Sequence, residues 1–584
     1  MLRRGSRSRI AAASVAVTSV ALAFVSSAAS AGSPPPPAVF GPNVHADNSG
    51  PSNGANEPQV TVDQAGTSYV TWQTNEGASK TTDGVHFTSL GDPDAAGPGE
   101  TGDVMYAHTS YSNPTNDVAV DGAGQNAVFW GDIGPSCAGN SGRLNIRVGA
   151  TQDTTTWTRQ SGAGCQPAQV DRPWIAAYTP PAFRGTDQAE NHTSLYVEFH
   201  DFAASNVWVE TSTDGGQTWG PTGNPAIQAG SVAQLTSTCN TTPGGVAVDQ
   251  NGPHQGRIYA TWLTSDLPSN AGMGCNITEA EAFDHLFISY SDNGGATWTS
   301  QTVFNDPCAP NPPTPPNPTS NTCQDMQEIF APVAVDDAGN VYVSYVFRDI
   351  SQTSPQYDVY VATSTDGGNT FTPHKVDSDV GTHYFPWIAA AGNGGVDVVY
   401  YDTSYVEGTG MFGKPAAAAA SALWTVQMSQ SLDAGQSWTQ SAVSHHDIYF
   451  GDVCTTGIFC GLAPSTFNWG NDRILLDDFG VAVGPDGGAR VAWTDTSDSW
   501  GSCPPAGGNV SCQAQEIQFA CQTGGVGLTG QTIVGCGQVA VGAVTPDARF
   551  TGTLLVAGLA AVGVSVWRRR RSRGPQTSDS GSSL

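Results

Sequence analysis

The side chains best placed for chemistry stand at the heads of short apolar runs. They are Asp171 and Arg172 before Pro173-Trp174, Glu328 before Ile329-Phe330, Tyr384 before Phe385-Pro386, and Arg473 and Asp478 ahead of the run that begins at Gly480. Glu57, Asp117 and Asp477 hold similar places. A carboxylate-rich set with arginine suits three ligands: it binds a neutral sugar, holds a cation, or hydrolyses a glycoside with two carboxyl groups about 5 to 9 Å apart. Which of these applies depends on the elements that position the set.

Those elements repeat. A strand of form apolar-x-apolar leads into Asp-x-x-Gly and then into a second strand that ends on an aromatic. The copies run through Asp63 to Gly66 into Trp72, Asp121 to Gly124 into Trp130, Asp249 to Gly252 into Trp262, and Asp336 to Gly339 into Tyr345. Variants without the aspartate begin at Pro173, Pro386 and Gly480, which makes seven units. Asp bonds backbone two residues on and Gly supplies positive φ, so the step is a hairpin turn and these aspartates are structural. Short alternating runs with 69 Gly and 38 Pro point to an all-β chain.

A second pattern, Ser-x-Asp-x-Gly-x-Thr-Trp, stands in phase with the first. Ser212 to Trp219 matches it fully, Ser364 to Phe371 and Ser431 to Trp438 each change one residue, and Ser291 to Trp298 carries Asn293 at the Asp position. Thr81 to Phe87 and Asp153 to Trp157 are degenerate copies. On these boxes the chain resembles the Asp-box, or BNR-repeat, propellers of the sialidase superfamily, from about Glu57 to Gln522. The resemblance implies a hairpin between the two outer strands of each four-stranded blade, a scaffold and not an active site. Seven units imply a seven-bladed β-propeller, with six blades as the runner-up. The last unit has Glu516 to Cys521 as a third strand but no box after it, so Pro37 to Ala46 is expected to supply its missing strand.

The resemblance also implies catalytic residues, and they are hard to find. Sialidases hold a carboxylate with three arginines, the first in Arg-Ile-Pro on the opening blade, and use Tyr with Glu as nucleophile and Asp as acid/base. The opening unit, Glu57 to Leu90, has no arginine, and the nearest motif is Asp171-Arg172-Pro173-Trp174 in the third unit. Arg257, Arg348 and Arg473 follow in an order that does not match. Tyr400 and Tyr401 stand where other units carry core aromatics, and Glu198 and Glu210 flank strands of the third unit.

The ends set the location. Arg3, Arg4, Arg7 and Arg9, an apolar run and Ala29-Ser30-Ala31 read as a signal peptide over residues 1–31. Residues 550–567 carry no charge and are followed by five arginines up to Arg573, the pattern of one membrane-spanning helix with a cytoplasmic tail over 568–584. The propeller then occupies 32–522, outside the cell, and a Gly-rich stalk 523–549. Between Gly32 and Arg549 stand 13 basic and 50 acidic residues, a balance that repels nucleic acid. Twelve cysteines fall into sequential neighbours: Cys137 with Cys165, Cys239 with Cys275, Cys308 with Cys323, Cys454 with Cys460, Cys503 with Cys512 and Cys521 with Cys536. Local disulfides are expected, and their spacing does not suggest zinc. The expectation is a monomeric, surface-anchored propeller, without metal or cofactor, that binds a glycan or a cell-surface protein. The alternative is an exo-sialidase or other glycoside hydrolase acting at the channel mouth.

Overall fold

The computed structural model describes the chain from 36 to 539 except for 48–54, 74–76, 92–114, 120–126, 135–144, 152–158, 164–169, 185, 187, 202–205, 221–223, 226–240, 265–282, 308–325, 327–329, 407–421, 454–473, 476–478 and 506–511. The expected leader, membrane helix and cytoplasmic tail lie outside the described residues. Among the described residues no helix is long and apolar enough to cross a membrane.

The described structure is an all-β propeller. Two short N-terminal strands, β1 (Val39–Phe40) and β2 (Val44–His45), precede the sheets. Sheet one holds β3 (Asn56–Val62), β4 (Ser68–Gln73), β5 (Gly77–Thr81) and β6 (Thr88–Gly91). Sheet two holds β7 (Thr115–Ala119), β8 (Ala127–Gly134), β9 (Asn145–Thr151) and β10 (Arg159–Ala163), and sheet three β11 (Val170–Tyr178), β12 (Ser194–Asp201), β13 (Asn206–Ser212) and β14 (Asn224–Pro225). Sheet four holds β15 (Thr241–Val248), β16 (Ile258–Thr264), β17 (His285–Ser291) and β18 (Thr299–Asn305), and sheet five β19 (Val333–Val335), β20 (Val341–Arg348), β21 (Tyr357–Ser364) and β22 (Thr372–Lys375). Sheet six holds β23 (Thr382–Ala391), β24 (Gly395–Thr403), β25 (Leu423–Ser431) and β26 (Thr439–Ala442), with β27 (Tyr449–Phe450) paired to β25. These six sheets are antiparallel and built of consecutive strands.

A composite sheet completes the ring. Its strands β28 (Gly480–Val483), β29 (Ala489–Asp495) and β30 (Glu516–Gly524) are joined by β1 and β2, which both pair with β30. The segment expected to supply the missing strand therefore does so. The first strands of successive sheets lie side by side in the cyclic order β3, β7, β11, β15, β19, β23, β28 and back to β3. The chain continues in order past the boundary expected for the stalk. After β30, a hairpin of β31 (Ile533–Gly535) and β32 (Gln538–Val539) buries Leu528 and Ile533, and Leu528 N–H donates to Gly487 O. The Cys503–Cys512 and Cys521–Cys536 disulfides are formed as expected. The other expected pairs lie outside the described residues.

Local chemistry explains the strand joints. Asp63 Oδ1 accepts from Ala65 and Thr67 N–H while Oδ2 accepts from Tyr69 OH; Asp336 does the same with Ala338, Asn340 and Tyr342. Gly66 and Gly339 close these turns at φ of 86° and 81°, a region open to glycine. In the Ser-x-Asp hairpins Ser212 Oγ donates to Asp214 Oδ1 and accepts from Gly216 N–H, and Asp214 also accepts from the Thr218 N–H and hydroxyl. The hairpins at Asp366 and Asp433 repeat this set. Neighbouring sheets are stapled through these hairpins: Thr211 Oγ1 donates to Gly294 O, and Arg257 Nη1 to Gly367 O.

Both turn types connect first to second and third to fourth strands, so they crowd one face of the ring. The connections from second to third strand and from sheet to sheet emerge on the other, the loop face. Between the faces, the aromatics that end the second strands are core: Trp72, Trp262, Tyr345, Tyr401 and Trp493 are all buried. In mid-ring Trp174 packs against Trp387 and Phe330, with ring centroids 4.8 and 5.2 Å away.

Candidate functional site on the loop face

The heads of the inner strands are irregular. Register shifts fall between Asn56 and Gln59, Asp171 and Trp174, Pro243 and Gly245, and Tyr384 and Trp387. Glu57 and Phe385, each followed by proline, adopt φ of 47° and 54°. A residue before proline is normally driven to extended backbone, so these bulges hold strain at the loop face. Asp171 and Arg172 sit at such a bulge on β11, but their side chains, like all of Glu328, Arg473 and Asp478, lie outside the described residues.

Tyr384 corrects the expectation. It is fully enclosed, stacked on Trp424 at 5.8 Å and beside Tyr357, because the bulge at Phe385 interrupts the alternation of side chains and leaves Tyr384 between sheets. The channel wall differs as well. A cavity of about 300 Å³ at the ring centre is lined by Val60, Ile175, Val246, Val333, Ile388 and Val481 with Gln59, Thr61 and Gln250, and no carboxylate or arginine stands among its described lining residues. Among the described residues, the two candidate arginines do not converge. Arg257 lies on the turn face, paired through Nε and Nη2 with the Asp292 carboxylate at 2.6 and 2.9 Å, whereas Arg348 ends β20 at the loop face. Tyr400 and Tyr401 are both fully enclosed; Tyr401 stacks on Phe479 at 4.3 Å, and the Tyr400 hydroxyl is 3.0 Å from Ser429 Oγ.

Among the described residues, ionisable groups toward the loop face stand in three places that sequence reasoning did not single out as one site. At the seam of sheets five and six, buried His383 places Nε2 3.2 Å from both Asp379 and Asp402 and Nδ1 3.1 Å from Tyr357 O. Lys375 Nζ stands 2.8 Å from Asp358 and 3.2 Å from Asp377. Burial alone would lower the His383 pKa, but its hydrogen bonds to Asp379 and Asp402 and the charge of Asp377 raise it to about 10. Burial pushes the Asp377 carboxyl up, against the pull of His383 and Lys375. The His383 bond lowers Asp379. In this network of cations and carboxylates the buried Asp358 Oδ2 and Asp377 Oδ1 accept no hydrogen bond and are met by the Lys375 charge.

Between sheets three and four, Glu198 is wholly buried and accepts the Gly245 N–H at 2.8 Å. Burial holds its carboxyl well above the usual range, outweighing that bond, because the low-dielectric interior disfavours the charged form. On the composite sheet, Glu516 is enclosed beside His45, Asp495 and Asp498. Burial and the charges of Asp495 and Asp498 raise it to about 8. Nearby, His446 Nε2 lies 2.9 Å from Asp495, and that bond raises the histidine. Among the described residues three groups have ligand-type atoms within 4.8 Å of one another and the composition to hold a metal: His45 with Asp498 and Glu516, Asp358 with Asp377 and His383, and Asp379 with His383 and Asp402.

No protein-family model matches the chain, and no curated protein matches it. Solved structures similar to it include a polysaccharide lyase of family PL25, an ulvan lyase, at 11% identity over 80% of this chain and 93% of that one, with a TM-score of 0.41. The NanB sialidase from Streptococcus pneumoniae is 10% identical over 84% and 70% of the two chains, TM-score 0.34. A protein of unknown function from Dyadobacter fermentans is 15% identical over 65% and 97%, TM-score 0.35. Likeness of this degree says nothing about chemistry.

Proposed function

We propose that this chain is an exported, membrane-anchored, sialidase-like propeller, of seven blades when the composite sheet is counted, that binds a glycan or a protein at the cell surface through its loop face. The observation that carries the reading is the asymmetry of the two faces. On the turn face the Ser-x-Asp and Asp-x-x-Gly carboxylates are used up by their own hairpins. Toward the loop face stand the strained strand heads at Glu57 and Phe385, the longest connections and three of the carboxyls with raised pKa values, Glu198, Asp377 and Glu516, whereas near the turn face one carboxyl, Asp397, is raised and one non-glycine residue, Ala434, has positive φ. Strain and shifted carboxyls gather where a protein meets a ligand. Its partner is a surface molecule and not nucleic acid, and the chain acts as a monomer.

Glycan arrays and cell-wall material probed with the purified protein test this reading. Binding that weakens at least tenfold in Arg172→Ala supports it, and no binding across both would overturn it. A glycoside hydrolase is the second reading, favoured by Glu198, a carboxyl whose pKa burial raises, opposite Trp174 in the β11–β12 register, since a general acid needs a raised pKa. Turnover of fluorogenic glycosides that vanishes in Arg172→Ala or Glu328→Ala would establish it. Absence of turnover across a broad panel would remove it.

A further inference from the structure

The ring is closed by two ends of one chain, and at that junction lies an arrangement the propeller itself does not need. His45, on β2, stands between two acidic side chains of the closing sheet: its Nε2 is 3.4 Å from Asp498 Oδ2 and its Nδ1 is 3.5 Å from Glu516 Oε2. Asp498 belongs to the 3₁₀ turn Ser497–Gly501 that follows β29, and Glu516 opens β30. Three separate segments thus converge, one of them from the opposite end of the chain.

Two observations set this group apart from the His383 network. The first is its charge: among the described residues no lysine or arginine pairs with Asp495, Asp498 or Glu516, whereas Lys375 stands within the other group. The second is Glu516 itself, whose side chain is fully enclosed and whose Oε2 accepts no hydrogen bond; Asp358 Oδ2 and Asp377 Oδ1 also accept none, but Lys375 stands beside both, whereas among the described residues no lysine meets Glu516. A buried carboxylate oxygen without a donor costs several kcal/mol unless it takes up a proton or a cation meets it. That oxygen points at the His45 ring, and one atom each from His45, Asp498 and Glu516 fits within 4.8 Å, about the spread of donors around a single ion.

We propose that His45, Asp498 and Glu516 bind a divalent metal ion that clasps the N-terminal strand to the last sheet and so locks the ring. The imidazole ligand selects a first-row ion such as Zn²⁺ or Mn²⁺ over Ca²⁺ or Mg²⁺, which prefer all-oxygen sets. His45 and Asp498 are part-exposed, at 39% and 54%, so the ion enters from the loop face without opening the sheet. Any ion bound there stabilises the closed ring by mass action, because β2 and β30 are together only in the folded chain.

The test uses the full chain, stripped with a chelator and dialysed, then titrated separately with Zn²⁺, Mn²⁺ and Ca²⁺ by calorimetry. One equivalent of Zn²⁺ or Mn²⁺ is expected, with affinity lowered at least tenfold in Glu516→Gln and in Asp498→Asn. The second variant alters an exposed side chain and keeps the test sound if the first fails to fold. Proteolysis between Pro37 and Asp47 should slow when the ion is added to the native chain and not when it is added to Asp498→Asn. Uptake unchanged in both variants, uptake of Ca²⁺ alone, or no uptake at millimolar ion would each overturn the proposal.

Discussion

His383 and Asp402 face each other across β23 and β24, with the ring Nε2 3.2 Å from the carboxylate Oδ1 in a place where the ring is wholly enclosed. A buried imidazolium persists only because carboxylates surround it, and the same carboxylates depend on its charge. A histidine whose pKa is higher in the folded than in the unfolded chain stabilises fully below about pH 6.5, and that stabilisation is lost as pH rises through about 10. Asp377, also raised on folding, acts in the same direction at lower pH, its contribution falling as pH climbs above the ordinary carboxylate range. The denaturant midpoint should therefore fall between pH 6.5 and 10. His383→Gln should flatten that fall and lower stability at pH 6.5 by about 3 to 5 kcal/mol, since it strands buried carboxylates. An unchanged pH profile in the variant would show that the ring is neutral in the native protein.

The hairpin aspartates should behave as hydrogen-bond acceptors and not as charges. Asn293 occupies the Asp position in one copy and makes the corresponding bonds: it accepts from Thr297 N–H and donates from Nδ2 to Thr297 Oγ1. Asp214→Asn should thus be nearly neutral, whereas Asp214→Ala should cost about 1 to 2 kcal/mol by leaving the Thr218 N–H and hydroxyl without their acceptor. Urea unfolding of the two variants side by side decides the matter. Equal losses in both would mean that charge matters after all.

Turns, strands and ring closure were legible because each is written in a few adjacent residues. Asp63 with Gly66 makes its own turn, Ser212 with Asp214 its own hairpin, and a third strand without a fourth announces a missing partner. The charged groups were not legible in this way. His383 meets Asp402 only because two strands pair, and His45 meets Glu516 only when the two ends of the chain come together. Even so, Asp377-Ser378-Asp379 with His383 just beyond, at the head of an inner strand, was a visible polar cluster ahead of an apolar run. Tyr384 was misplaced for a backbone reason: alternation counted through the run puts it on the channel, and the positive φ of Phe385 breaks the count.

Glu198 should tolerate loss of its ionisable group but not of its acceptor. Burial raises the pKa of its carboxyl and so favours the neutral form, and Oε2 receives the Gly245 N–H from the neighbouring sheet. Because the folded pKa is raised, the group's stabilising share is complete below about 4.5 and shrinks as pH rises. Glu198→Gln should be at least as stable as the parent at pH 8 and less dependent on pH, while Glu198→Ala should lose about 1 to 3 kcal/mol at any pH by leaving that N–H unpaired. Thermal melts of the three proteins at pH 5 and 8 provide the comparison. A Gln variant less stable at pH 8 would show the carboxylate to be ionised in the fold.

Closure by β1 and β2 makes stability depend on a segment of a dozen residues far from the rest of its sheet. Phe40 is buried, its neighbours pair with β30, and Ala46 N–H donates to Ile517 O. Phe40→Ala should cost about 3 to 5 kcal/mol, the penalty for emptying a packed aromatic site. Deleting residues 36–47 does something different in kind: it strips β30 of its partners on the edge away from β29 and exposes a row of backbone donors and acceptors along an edge strand. The deletion should therefore self-associate, seen by light scattering at micromolar concentration, while Phe40→Ala unfolds at lower temperature but stays monomeric. A deletion variant that remains monomeric with an unchanged melting temperature would show that the last sheet holds the ring closed without its N-terminal strands.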